Sequence, residues 1–111
     1  PGRPDLVLRR YNAVIFVNGC FWHGHDCHLF KWPRTRPEFW RQKIHENMAR
    51  DQRNLQRCAE VGYRVGVVWE CALKGKTRHT EETVISALEA WLAGDSASIE
   101  VSGDESNLIR E

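Results

Sequence analysis

Apolar and polar positions alternate in a way that predicts a small mixed α/β domain. Leu6-Val-Leu8 and Ala13-Val-Ile-Phe-Val17 are short apolar runs rich in β-branched residues, as strands are. Arg9-Arg-Tyr-Asn12 between them is short enough for a hairpin connection, which sets the two strands antiparallel and brings Asp5 near Phe16 or Val17. Thr35-Arg-Pro-Glu38 has a capping-box pattern with Pro in the first turn. A helix should start near residue 36 and run to about Glu60, with Gly62 just past its end. Phe39, Trp40, Ile44, Met48, Leu55 and Ala59 form its expected buried stripe. Tyr63 to Glu70 is apolar almost throughout, the pattern of a central strand. Thr80 can cap a second helix over about Glu81 to Ala93, with Val84, Ile85, Leu88, Trp91 and Leu92 inward and Gly94 as the stop. The reading ends with an edge strand at Ser98–Val101 and a polar, acidic tail. It divides the chain into a domain over 1–98 and a tail over 99–111, with a turn at Pro1 to Pro4.

Residues 18–34 show neither period, so something other than a core must fix them. Within them Asn18-Gly-Cys-Phe-Trp-His-Gly-His-Asp-Cys27 concentrates cysteine, histidine and aromatic side chains. Cys20, His25 and Cys27 have C-x4-H-x-C spacing, and thiolate with imidazole is the donor set that Zn2+ prefers in a tetrahedral site. Cys71, at the exit of the central strand, is the best fourth ligand; His28 and Asp26 are fallbacks. Cys58 falls inside the long helix and reads as a small buried hydrophobe. With Cys71 in the zinc site, His23 is left to act as a general base or to contact a phosphate. Asp5, at a strand end, suits Mg2+ beside a phosphate, with a main-chain carbonyl near Val17 as a further oxygen; its bland alternative is a turn-capping residue. Phe21 and Trp22 are adjacent and cannot both enter one core from an extended segment. They suit a wedge between bases, while Trp40 fits either that wedge or the helix core.

The 111 residues allow one domain with one modest core. Hydrophobic content of 41% and charged content of 28% are ordinary for a globular protein, and no run approaches the roughly 18 apolar residues of a membrane span. Four Cys beside His ligands, without a secretory signal, point to reduced thiols and a cytosolic setting. The chain opens at Pro1 without a Met, as a fragment would. Net charge is +1 but uneven. Eight Lys/Arg stand against three acids from Lys31 to Arg57, and eight acids against one Arg from Glu81 to Glu111. The first segment suits phosphates; the second repels them.

Taken together, Pro1-Gly-Arg-Pro-Asp5, Val14-Ile-Phe16, Gly19-Cys-Phe-Trp-His23, His25, Cys27, Leu29-Phe-Lys31, Glu38-Phe-Trp40, Arg50-Asp51 and Val68-Trp-Glu-Cys-Ala-Leu73 resemble the very short patch repair (Vsr) endonuclease family. That resemblance implies a restriction-endonuclease-like mixed sheet flanked by helices, one structural zinc, and Mg2+-dependent nicking of double-stranded DNA at T:G mismatches. It implies Mg2+ at Asp5 and the Val17 carbonyl, His23 as catalytic histidine with Asp51 as its acid, and zinc on Cys20, His25, Cys27 and Cys71. Phe21, Trp22 and Trp40 match the intercalating aromatics. The E-x-K of the wider nuclease superfamily is absent here, where Ile15-Phe-Val17 stands, as it is in the Vsr family. Asn18 replaces a family histidine near the phosphate; an amide carries no proton at neutral pH, so rate or substrate preference should differ. The family also has an N-terminal DNA-clamping segment that lies ahead of residues matched by this chain. By resemblance the enzyme is a bacterial, cytoplasmic, nucleoid-associated monomer working with mismatch-repair proteins. Two alternatives accompany this reading: a related nuclease with another or no mismatch preference, and a zinc-stabilised DNA-binding module without catalysis.

Overall fold

The computed structural model describes residues 3–104. Pro1 and Gly2 of the expected opening turn and residues 105–111 of the expected tail lie outside the described residues. Four strands form one sheet in the order β1 (Leu6–Leu8), β2 (Ala13–Asn18), β3 (Arg64–Trp69), β4 (Ser98–Val101). β1 pairs antiparallel to β2, with Leu6 opposite Ile15; β2 with β3 and β3 with β4 are parallel. The parallel steps need crossovers, and the two helices supply them: α1 (Pro37–Glu60) lies between β2 and β3 in sequence, and α2 (Glu81–Ala93) between β3 and β4.

Strand alternation assigns each helix a face. Ala13, Ile15, Val68 and Val101 pack with Val84 and Trp91 of α2. Val14, Phe16, Val65 and Val67 pack with Leu55 and Cys58 of α1. Residues of opposite parity on β2 thus face opposite layers, so the sheet is covered on both sides. Cys58 is partly buried against the α1-side core, as a small hydrophobe should be. Gly66 permits the close approach of Trp91: a Cβ there would meet the indole at 3.1 Å.

The hairpin turns on one helical turn at Arg9–Tyr11 and on Asn12, whose left-handed backbone (φ 56) asparagine tolerates better than most side chains. The Asn12 side chain donates to the Gly62 carbonyl at 3.1 Å, and its own carbonyl accepts from the Arg64 N–H at 2.7 Å. The hairpin is thereby tied to the point where the chain enters β3. Gly62, at φ +95, lets α1 end and the chain reverse into β3.

Three details of the helices differ from the sequence reading. Thr35 does not cap α1. The N-cap residue is Arg36, held left-handed (φ 51), and it forms no side-chain cap bond. Pro37 disfavours right-handed helical geometry at the residue before it, which removes the backbone conformation a capping box needs. The α1 stripe is only half covered: Ile44 is buried and Trp40 and Leu55 are partly buried, but Phe39, Met48 and Ala59 are exposed, and Asn47 is buried instead. On α2, Thr80 caps as expected, accepting from the Thr83 N–H at 3.1 Å, but Ile85 faces solvent rather than the core. β4 straddles the expected boundary at residue 98. The chain beyond it stays attached, because Gly103 N–H donates to Cys71 Sγ at 3.3 Å and Asp104 N–H to the Thr77 carbonyl at 2.7 Å. Among the described residues no helix is long and apolar enough to cross a membrane.

Candidate active site and metal centre

Two sites sit side by side where the parallel strands β2 and β3 end. The first is built by residues 18–34, which wind through turns with no regular element. Cys20, His25 and Cys27 of that stretch meet Cys71, held by a short helical turn directly after β3. Their four candidate ligand atoms all lie within 4.8 Å of one another. His25 Nδ1 is 3.5 Å from Cys20 Sγ and 3.6 Å from Cys71 Sγ. A tetrahedral Zn2+ with ordinary Zn–S and Zn–N bonds requires about 3.6 Å between such atoms, so the donor set fits the ion in chemistry and in spacing.

Burial pushes the Cys20 thiol up to about 12; a Cys71 N–H opposes the rise, and the Cys27 and Cys71 sulfurs add to it. Burial also raises Cys71, against the Gly103 N–H that favours its thiolate. Packing three thiols this closely is unfavourable for thiolates unless a cation compensates them. Glu70 completes the frame, accepting the Cys20 N–H at 3.0 Å and pairing with Lys74 at 3.1 Å. Those two contacts, the backbone one first, hold its carboxyl below the usual 4.5. The imidazole of His25 lies flat on the Trp69 indole, centroids 4.0 Å apart at 8°. Trp69 is fixed in turn by Nε1 donating to Glu100 at 2.6 Å. His28 and Asp26, the fallback ligands, are outside the four-residue cluster.

The second site is a cavity of about 350 Å³ between the hairpin end, the turn at His23 and α1, with Asp5, Val17, Asn18, His23, Arg50 and Asp51 in its lining. The hairpin does what its length predicted. Asp5 N–H donates to the Ile15 carbonyl at 2.9 Å, and Asp5 Oδ2 accepts the Val17 N–H at 2.6 Å. Strand geometry turns the N–H and C=O of one residue to the same side, so the Val17 carbonyl also faces the Asp5 side. Asp5 belongs to no group of three or more close ligand-type side chains among the described residues. His23 Nδ1 is bonded to Asp51 Oδ2. This contact fixes the ring and leaves Nε2 as its other polar atom.

The structure therefore brings Asp5, Val17, Asn18, His23 and Asp51 to one cavity. It also brings Phe21, Trp22 and Trp40 together beside it, with ring centroids 5.4–5.6 Å apart. Trp22 is 51% exposed, so the cluster presents a face to solvent instead of filling a core.

Sequence reasoning missed two residues that shape these sites. Asn47, buried on α1, donates through Nδ2 to the Trp22 carbonyl at 2.9 Å and accepts from Arg50. Glu70 anchors the backbone of Cys20, the first candidate ligand. Both stand beside residues that were singled out, Asp51 one helical turn on and Cys71 next in the chain, and such adjacency was the available clue.

Residues 1–29 match the family model described as DNA mismatch endonuclease Vsr. Over 101 residues the chain is 52% identical to DNA mismatch endonuclease Vsr of Escherichia coli (strain K12), covering 91% of this chain and 65% of that protein. It is 45% identical over 75 residues to a type II nicking enzyme of Neisseria meningitidis, and 49% identical over 73 residues to one of Xanthomonas oryzae pv. oryzae. Those alignments cover 68% and 66% of this chain and 54% of each relative. The chain thus spans between about half and two thirds of the length of these curated relatives. A cavity that unites Asp5, His23 and Asp51, a Cys/His cluster that could hold a metal ion, and this identity across nearly all its described residues make the chain similar to the DNA mismatch endonuclease Vsr and to its nicking-enzyme relatives.

Proposed function

We propose that this chain carries the catalytic centre of a Mg2+-dependent endonuclease that nicks one strand of double-stranded DNA at a T:G mismatch. The observation that carries the reading is the bonded His23–Asp51 pair in one cavity with Asp5. Asp51, accepting from Nδ1–H, holds His23 in the tautomer whose Nε2 lone pair takes a proton from an attacking water, and it stabilises the imidazolium that results. Asp5 and the Val17 carbonyl offer hard oxygen ligands, which suit Mg2+. When bound there, that ion supplies charge neutralisation at the scissile phosphate. Asn18 adds an amide that can hydrogen-bond the phosphate without exchanging a proton. Phe21, Trp22 and Trp40 form the wedge that unstacks the step beside the mismatch, and a wobble pair yields to it more readily than a matched pair. The Cys20, His25, Cys27, Cys71 cluster, with Zn2+ as its ion, holds the turn carrying His23 and the wedge against the exit of β3. The fold around this centre is restriction-endonuclease-like. The enzyme acts as a monomer in the bacterial cytoplasm, since an asymmetric mismatch presents one strand to cut.

The test is nicking of T:G and T:A duplexes with and without added Mg2+, for the chain and its His23→Ala variant. The expected result is a Mg2+-dependent nick in one strand of the T:G duplex, abolished in the variant while DNA binding and zinc content persist. Wild-type nicking by His23→Ala would remove His23 from its role. A second reading, a related nicking enzyme with another preference, draws support from relatives named type II nicking enzymes and from Asn18. Equal cleavage of matched duplex would favour it.

A further inference from the structure

Arg50 is the one half-buried cation in the lining of the active-site cavity; Arg3, also in the lining, is exposed. Two carboxylates, Asp5 and Asp51, share the cavity with Arg50, yet among the described residues its guanidinium pairs with neither. Its recorded hydrogen bond goes instead to a neutral acceptor, the Asn47 side-chain oxygen. A guanidinium has five N–H donors in a planar fork, and one such bond leaves most of them uncommitted. Partly shielding a cation from water without an anionic partner is unfavourable, and a phosphate entering the cavity would supply that partner with matching bidentate geometry. Asn47 is itself fixed, because its amide is buried and also donates to the Trp22 carbonyl.

Resting on the nuclease reading above, we infer that Arg50 is the side chain that grips the phosphodiester to be cut. Asn47 is its positioning residue. The same amide holds the backbone of Trp22, so the grip on phosphate and the aromatic wedge are set from one point of α1. This assigns Arg50 a contact in the cavity, distinct from the exposed basic residues of α1, Arg41, Lys43, Arg53 and Arg57.

The test measures binding of a fluorescent T:G duplex to the zinc-loaded chain, without added Mg2+, over a range of salt. The duplex carries either a normal scissile phosphate or an uncharged methylphosphonate there. Removing a hydrogen-bonded charge contact should weaken binding about 10- to 100-fold in Arg50→Ala. The slope of log affinity against log salt should fall by about 0.9, the share of one phosphate. The methylphosphonate should penalise the wild type by a similar factor and leave Arg50→Ala unaffected. Arg50→Lys, which keeps charge and helix propensity, should retain the slope but bind more weakly because it lacks the fork. The inference is overturned if Arg50→Ala keeps the wild-type slope, or if the methylphosphonate penalises variant and wild type equally. A wild-type chain with no salt-dependent DNA binding would overturn the nuclease reading and this one together. Intact wild-type binding with an indifferent Arg50 would sink this one alone.

Discussion

Asn47 and Asp51 stand one turn apart on α1 and reach two consecutive residues, Trp22 and His23. One helix face thus holds both the backbone of the wedge and the ring of the proposed base. Asn47→Ala leaves the buried side of this contact short of a donor, and should cost about 1–3 kcal/mol in denaturant unfolding. Asp51→Asn keeps the shape of the pair but loses its charge and the preference for the productive tautomer. Nicking should fall by roughly 10²–10⁴ with little change in stability; a variant within a factor of two of wild type would take Asp51 out of the mechanism. Glu70 yields a pH prediction. Its folded pKa lies below the ordinary 4.5, so its stabilisation is present above 4.5 and is lost as pH falls through the depressed folded value. The Tm gap between wild type and Glu70→Gln should therefore close as pH is lowered below 4.5, and a gap that widened would contradict the bond to Cys20. Neither Asn47 nor Glu70 announces its role in the chain, because a polar residue on a helix or strand exit looks the same whether it faces water or a backbone group.

Elements were legible where local chemistry dominates, and obscure where packing decides. The hairpin, the stop of α1 at Gly62 and the cap of α2 at Thr80 follow from turn and cap residues, and the structure agrees. Half of the α1 stripe stayed exposed because periodicity shows that a helix has an apolar side but not which turns meet the sheet. Leu55 and Cys58 near the C-terminal end reach it, while Phe39 and Met48 stay exposed. The loop over 18–34 rests on α1 through Gly24, at φ +63, where a Cβ would come within 2.7 Å of Met48 Sδ and 2.9 Å of Ile44 Cγ2. Gly24→Ala combines a strained backbone with overpacking and should cost about 1–3 kcal/mol. Arg64 closes the other end of the sheet. Its guanidinium donates to the carbonyls of Trp91, Leu92 and Ser96 and lies 4.9 Å over the Trp91 ring. It satisfies the C-terminal carbonyls of α2 and favours the negative end of that helix. Arg64→Met, which retains an apolar stem, should still lose about 1–3 kcal/mol, and an unchanged unfolding midpoint would show those bonds to be idle.

At the scale of the molecule, the uneven charge becomes a two-sided arrangement. Arg41, Lys43, Arg50, Arg53 and Arg57 lie on α1, which packs on one face of the sheet, and Glu81, Glu82 and Glu89 on α2, which packs on the other. The two sites are joined through the loop over 18–34, whose only regular support is what it touches. Three candidate zinc ligands lie within that loop, and the fourth, Cys71, is 44 positions beyond Cys27 and anchored at the exit of β3. An ion bound there cross-links loop to sheet and carries His23 with it, since His23 lies between Cys20 and His25 in the chain. The native arrangement crowds buried thiols that burial keeps protonated, so the apo protein should not hold this geometry as firmly as the loaded one. Losing even about 3 kcal/mol would lower the Tm of a domain this size by roughly 10–20 °C. Elemental analysis of protein purified without chelator should find one zinc per chain, and both chelator treatment and Cys71→Ser should remove it. Calorimetry should show the drop in Tm in each case. Hydrogen exchange should place the lost protection first in residues 18–34, with β2 and β3 the last to open, because their cores on both faces contain no ligand of the ion apart from those at their ends. Equal melting of metal-free and untreated protein, with protection in the loop unchanged, would mean that packing alone holds the cluster.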